Sequence, residues 1–264
     1  MEDVHDCLKI HERQLFPITK KRKLPDSEND NDNNNNNSDG DFPLMTRVFV
    51  PLCGKTVDMA YLAQQPTVQE VVGLDGIRAA LEDFANDHPS LEIRSTFEEP
   101  RKKEEGDAST EEGHVDKDDQ NQTVDVFERW VGKKMTLVKG DYFHFDEVVA
   151  RGRFGAVFDR ASLYAIHPSL REAYVSVMGK IIAPKGRILL STLERVGNDK
   201  EALKRGPPFT LSEADVRALY EAKDWVESVT CLEKKDLFEK DPSLKDRYDG
   251  LDHLLEYTFL IKAK

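Results

Sequence analysis

From residue 47 onward, short runs of β-branched and aromatic residues alternate with stretches of helical period. Arg47-Val48-Phe49-Val50-Pro51-Leu52 is an apolar run of the fully buried strand kind. Gly54 turns the chain, and Thr56 is placed to N-cap a helix that reaches about residue 64 and is closed by Pro66. A second apolar strand covers 68–74 and ends at Asp75, followed by a helix over 77 to about 86 with Ala79, Ala80, Leu81 and Phe84 inward. Strand, turn, helix, strand, acid is half of a nucleotide-binding α/β unit. Strand character returns at 134–138 and 155–158, a helix spans about 169–182, and Pro184-Lys185-Gly186 closes it before a fifth strand at 187–192. Ser212 caps a further helix with Glu213 in its first turn, and 225–229 with 257–261 read as a terminal strand pair. Helices alternating with strands, finished by a hairpin, predict an α/β fold: a doubly wound, mostly parallel sheet with an antiparallel terminal strand.

Two polar segments interrupt this pattern. Residues 26–41 carry six acids and no base, and 98–123 carry ten acids and four bases. Together they hold the entire net charge of -12, so the remaining chain is neutral and its acidity says nothing of the folded body. They also explain the 39% hydrophobic content, low against the roughly 45–50% of globular domains. Asn33 to Asn37 is unbroken asparagine, which cannot bury enough apolar area to order itself. The expected organisation is a disordered polar arm over 1–43, then one domain over 44–264 with a flexible acidic insertion at 98–123.

Composition excludes several classes. No apolar run approaches the ~20 residues of a membrane span. The start, Met1-Glu2-Asp3-Val4-His5-Asp6, has no basic then apolar leader. Cys7, Cys53 and Cys231 are odd in number and widely spaced, which argues against a disulfide framework or a zinc knuckle and for a reducing, cytoplasmic setting. Lys20-Lys21-Arg22-Lys23 has the composition of a nuclear import signal, though a solvated charge run is the plainer reading. A neutral body lacks the basic face that would follow phosphates, so neither nucleic acid nor membrane is expected as partner. The expectation is a monomer acting on a small molecule.

In an open α/β sheet, ligands lie beyond the carboxyl ends of the strands. The residues found there are Leu52-Cys53-Gly54-Lys55, Asp75, Gly140-Asp141-Tyr142 and Asp159-Arg160. An acid after the second strand is where ribose hydroxyls are held. Neither GxGxxG nor GxxxxGK[ST] occurs, so a nicotinamide fingerprint and a phosphate-cradling loop are both missing. One glycine at the first turn suits a ligand without a pyrophosphate, such as S-adenosylmethionine. Spacing alone leaves this ligand and a purely structural use of the acids side by side.

Arg47 through Met59, with its Val50-Pro51-Leu52-Cys53-Gly54-Lys55 core, resembles the first motif of the thiopurine S-methyltransferase family. The similarity continues through Val71-Val72-Gly73-Leu74-Asp75, Gly140-Asp141-Tyr142-Phe143 and Phe158-Asp159-Arg160-Ala161-Ser162-Leu163-Tyr164-Ala165-Ile166-His167-Pro168. It returns at Gly206-Pro207-Pro208-Phe209 and Cys231-Leu232-Glu233-Lys234. It implies a Rossmann-like class I methyltransferase using S-adenosyl-L-methionine as cofactor. Leu52 would contact the methionyl part and Asp75 would take the ribose, one methylene shorter than the glutamate common there. Asp141 and Tyr142 would flank the adenine. Arg160 would stand near the methionine end and the reacting centre, and Pro207, Pro208 and Phe209 would border the acceptor pocket.

Plainer roles compete with these. Asp75 and Asp159 can simply cap strand ends, and Cys53, with no His or Asp placed to activate it, reads as a small packed residue. His144 and His167 have no second ligand at metal spacing, so no metal is expected; Phe143, Phe145 and Phe154 read as core. A sulfonium methyl needs alignment more than acid–base help, so no obligatory general base is expected. Family members also carry a Trp-rich N-terminal segment with a Phe-His element that folds over the cofactor. Residues 1–46 contain no tryptophan and nothing matching it, the two tryptophans being Trp130 and Trp225. The implied activity is S-methyl transfer to a small thiol or thiopurine-like acceptor. Halide, thiocyanate or selenium methylation, and a non-catalytic cofactor-binding module lacking its lid, stand as alternatives.

Overall fold

The computed structural model describes residues 3–16, 45–96 and 127–264. Among the described residues, nine strands form one sheet in the order β3-β4-β5-β2-β1-β6-β7-β9-β8. The parallel centre is β1 (Thr46–Pro51), β2 (Val68–Asp75), β5 (Met135–Lys139), β6 (Phe154–Arg160) and β7 (Ile182–Val196). Alternation along these strands divides the core between two faces. On β1, Phe49 packs on one side, and Val48 and Val50 on the other. Against Phe49's face lie α4 (Arg171–Ile181) and α6 (Glu213–Glu221), through Tyr174, Met178 and Tyr220. The opposite face carries α1 (Asp6–Leu15), α2 (Val57–Gln64) and α3 (Arg78–Asp87), through Leu8, Leu15, Met59, Leu62, Leu81 and Phe84. A doubly wound, three-layer sheet results, as the pattern predicts.

Local signals place the helices. Thr56 accepts the Asp58 N–H as the N-cap of α2, and Ser212 forms a capping box with Asp215 at α6. β9 (His253–Ala263) runs antiparallel beside β7 from Arg187↔Lys262 to Val196↔His253, and β8 (Val226–Asp236) pairs antiparallel with β9. This is the expected terminal pair, with β7 extending past residue 192 because β9 continues to supply hydrogen-bond partners.

Two expectations need correction. The other edge is also antiparallel: β3 (Arg94–Thr96) and β4 (Glu128–Gly132) extend the sheet beyond β5. The disordered arm is not disordered at its start: residues 6–15 form α1, which buries Cys7, Leu8, His11 and Leu15 against the sheet. The rest of the expected arm from residue 17, the basic tetrad and the 98–123 insertion lie outside the described residues. Among the described residues, no helix is long and apolar enough to cross a membrane. The three short helices α5 (Lys200–Lys204), α7 (Leu237–Lys240) and α8 (Leu244–Arg247) gather at the far end of β7 and β9.

Candidate active site

The turn after β1 is fixed from below. Cys53 N–H donates to the Leu74 carbonyl at 2.9 Å, and Leu52 and Gly54 both adopt left-handed backbone, at φ 41° and 52°. Gly54 takes this geometry at low cost, and a methyl group added there would meet no atom within 4 Å, so space opens above the turn. Its N–H donates to Asp75 Oδ2 at 2.8 Å, while the Ile77 N–H donates to Oδ1, also at 2.8 Å. Each carboxylate oxygen retains a lone pair for a further donor. The Gly140 N–H reaches the Asp75 carbonyl at 3.1 Å, drawing the third turn alongside. Leu52, Asp75 and Asp141 are thereby brought to one edge of the sheet. Cys53 is buried, and burial followed by the Asp75 charge pushes its thiol up, so it is a packing residue.

At the third turn the two expected adenine neighbours diverge. Asp141 is exposed and accepts the Phe143 N–H at 2.9 Å. Tyr142 turns its ring into the core, 3% exposed, stacked on Tyr174 at 4.3 Å with its hydroxyl donated to the Tyr174 carbonyl. Only its backbone faces the turn, so the ring cannot flank an adenine. Ile77, 65% exposed beside Asp75, is a large apolar side chain available there, and the sequence pattern, which makes it only the first residue of a helix, gives no signal for it.

The fourth turn separates two adjacent charges. Asp159 is wholly buried and accepts the Tyr174 hydroxyl at 2.8 Å. Burial raises its pKa to about 6 against the hydrogen bonds from Tyr174 and Leu163, and its role is structural. Arg160 instead reaches a cavity of about 440 Å³ shared with Tyr164, Leu193, Leu237, His5 and Glu256. Its Nε is shielded from solvent without a hydrogen-bond partner among the described residues. The Ser162 hydroxyl donates to the Pro51 carbonyl at 2.7 Å and pins this turn to β1.

The loop of Pro207, Pro208 and Phe209 is hung beside the same turn. Phe209 N–H donates to the Tyr164 carbonyl at 2.7 Å, and the Arg195 guanidinium donates twice to the Pro208 carbonyl, at 3.1 and 3.0 Å. The N-terminal segment closes the opposite side. His5 N–H donates to Asp58 Oδ1 at 2.8 Å, and its ring Nε2 lies 3.3 Å from Glu256 Oε1. Residues 3–6 line the Arg160 cavity. Although residues 1–46 contain no tryptophan and no match to the family's Trp-rich segment, their described start thus lies against the Arg160 cavity.

These residues fit an adenosyl group carrying an amino acid. Asp75 offers acceptor capacity beside an open glycine turn, and Arg160 lines the cavity beyond β6. A guanidinium there suits a carboxylate. Among the described residues, no three His, Cys, Asp or Glu side chains are grouped to hold a metal ion.

Comparison with known proteins bears on the same residues. The family model for thiopurine S-methyltransferase matches residues 37–115 and 107–264. A thiopurine S-methyltransferase of Photobacterium profundum is 33% identical over 217 residues, covering 82% of this chain and 81% of that protein. A probable thiopurine S-methyltransferase of Danio rerio is 31% identical over 218 residues, 83% and 78% of the two chains. Among solved structures, an arsenic(III) S-adenosylmethionine methyltransferase from Chlamydomonas reinhardtii superposes with a TM-score of 0.52 at 16% identity, over 81% of this chain and 62% of the other. The N-terminal domain of EvdMO1 with SAH bound gives 0.50 at 15% identity, over 83% and 75%. At such identities the likeness is one of fold, a Rossmann-like class I sheet.

Proposed function

The chain belongs to the thiopurine S-methyltransferase family, and we propose that it carries out methyl transfer at the carboxyl ends of β1, β2, β5 and β6. It is an S-adenosylmethionine-dependent S-methyltransferase, with a small thiol or thiopurine-like molecule as acceptor. When bound, S-adenosylmethionine supplies a methyl group already activated on a sulfonium.

The chain's residues hold and align. Asp75 accepts the ribose hydroxyls with the lone pairs that Gly54 and Ile77 leave free. Leu52 packs beside the methionyl part, and Asp141 with the Tyr142 backbone and Ile77 borders the adenine. The Arg160 guanidinium pairs with the amino-acid carboxylate. The acceptor enters the cavity beside Arg160 and Tyr164, and the loop of Pro207, Pro208 and Phe209, which does not line that cavity, is tied to it through the Tyr164 carbonyl. Alignment of acceptor sulfur and methyl carbon, with water excluded by residues 3–6, supplies most of the rate. A thiolate gains further from the nearby cation. One chain contributes every residue named. Cys7 and Cys53, buried and unpaired, suit a reducing cytoplasm.

The observation that carries this reading is Arg160, which ends β6 in the turn that Ser162 pins to β1 and lines the cavity. Halide, selenium and non-catalytic readings are not favoured. The test is a panel of thiols, heterocyclic thiones, iodide and selenide with a labelled methyl donor. Sulfur acceptors are expected to turn over, and turnover confined to iodide or selenide would overturn the choice of acceptor.

A further inference from the structure

Glu256 is a side chain of the Arg160 cavity for which the methyl-transfer scheme has no use. It stands on β9 opposite Leu193 of β7, and both line the cavity. Its Oε1 is held by His5 Nε2 and by the Ser191 hydroxyl, each at 3.3 Å. His5 Nδ1 accepts the Cys7 N–H at 3.3 Å, which leaves Nε2 to carry the hydrogen that points at Glu256. Burial would raise the carboxyl, but the hydrogen bond from His5 and the nearness of Lys235 outweigh it and keep Glu256 ionised at neutral pH. The other acids of the cavity are committed or peripheral. Asp6 pairs with Lys240 at 2.5 Å, and Asp3 is exposed. A fixed, half-buried carboxylate therefore shares with the Arg160 guanidinium a cavity of about 440 Å³.

A carboxylate is a poor neighbour for a plain thiolate, which it repels. It is a good neighbour for a heterocyclic thione, whose reactive sulfur is neutral while a ring nitrogen beside it carries the proton. We propose that Glu256 accepts this ring N–H proton as the sulfur is methylated, and that His5 and Ser191 are its positioning residues; the proposal rests on the reading of this cavity as the acceptor pocket. As the S–CH3 bond forms, the N–H electron pair becomes the ring C=N bond and the C=S double bond becomes a single bond. The methyl–sulfonium bond breaks with its pair left on the donor sulfur, and the proton passes to a Glu256 oxygen. The products are two neutral thioethers and one proton, so charge balances. Acceptors that ionise unaided need no such base; thiones do.

Glu256→Gln keeps the shape and the hydrogen bonds from His5 and Ser191 but cannot take a proton. It is compared with the parent on a heterocyclic thione bearing a ring N–H and on a thiophenol. The expected result is a loss of about 100-fold in kcat/KM on the thione, with the thiophenol within about threefold of the parent or faster. Equal losses on both acceptors, or none on the thione, overturn the assignment. Unchanged affinity for S-adenosylhomocysteine identifies a folded variant, and Glu256→Ala carries the same expectation where the Gln chain does not fold. Without methyl donor, the near-ultraviolet band of the bound thione should be that of the N–H form in both chains, because the proton moves only as the sulfur is methylated; an N-deprotonated band in the parent also overturns it. Leu237→Trp, which narrows the cavity from α7, separates the two readings. A raised KM for both acceptors with an unselective Glu256→Gln removes only the proton role, whereas an unchanged KM for both removes the pocket and the proposal with it.

Discussion

Asp75, at the end of β2, accepts the N–H of Gly54, in the turn after β1, at 2.8 Å. The same carboxylate that is proposed to take the ribose therefore also shapes the turn after β1. Asp75→Ala should weaken S-adenosylhomocysteine binding by about 1.5–3 kcal/mol, the range for hydrogen bonds to a charged group. Calorimetric titration reads this directly. A folded variant with parental affinity would remove the ribose assignment and leave Asp75 as a turn residue.

Arg160 has two possible anions, the cofactor carboxylate and the acceptor sulfur, and Arg160→Lys separates them. A carboxylate suits the two-pronged guanidinium. Affinity for S-adenosylhomocysteine should fall, and the rate loss should not vary with acceptor pKa. Retained affinity, with a loss that shrinks for acidic thiols, would move Arg160 to the thiolate.

Buried Asp159 gives the fold a pH signature. Its pKa rises from 3.8 to about 6 in the folded chain. Below the ordinary value it is neutral in both states, and as pH climbs through 3.8 to about 6 only the folded chain still holds the proton. Its contribution is thus fully present at low pH and lost as pH rises through the folded value, at up to about 1.4 kcal/mol per unit. Denaturant midpoints between about pH 4 and 6 should show a component of falling stability that Asp159→Asn removes. Identical pH dependence in the two chains would contradict the raised pKa.

Helix α1 is part of the core. Leu8 is wholly buried against the sheet, so Leu8→Ala should cost about 2–5 kcal/mol in chemical denaturation. Shortening 98–123 should cost little, since each doubling of a loop is worth only about 0.6 kcal/mol. Parental stability in Leu8→Ala would detach the helix from the core.

The difference between what the sequence revealed and what it hid follows from burial. The centres of β1, β2, β6 and β7 are buried on both faces, so short apolar runs such as Val48-Phe49-Val50, Val71-Val72, Ala156-Val157-Phe158 and Ile188-Leu189-Leu190 announce them. β3 is exposed throughout and β4 buries only Trp130, so neither edge strand has a pattern to read. In α1 the inward stripe of Cys7, Leu8, His11 and Leu15 is interrupted by Lys9, Glu12, Arg13 and Gln14, and it precedes a long polar segment. Motif spacing placed Asp75 and Arg160 at the right strand ends. It could not say that Tyr142 points inward, because one residue of register decides that. Nor could it bring Glu256 to Arg160, since that meeting depends on β9 folding back along β7.

The central claim is that one site holds the cofactor between Asp75 and Arg160 and opens onto the acceptor cavity. A crystal structure of the chain with S-adenosylhomocysteine measures this most directly. The account predicts both ribose hydroxyls on the Asp75 carboxylate, the homocysteine carboxylate on the Arg160 guanidinium, and the thioether sulfur at the mouth of the cavity shared by Tyr164 and Glu256. Ribose hydroxyls away from Asp75, or a sulfur facing away from that cavity, would contradict it.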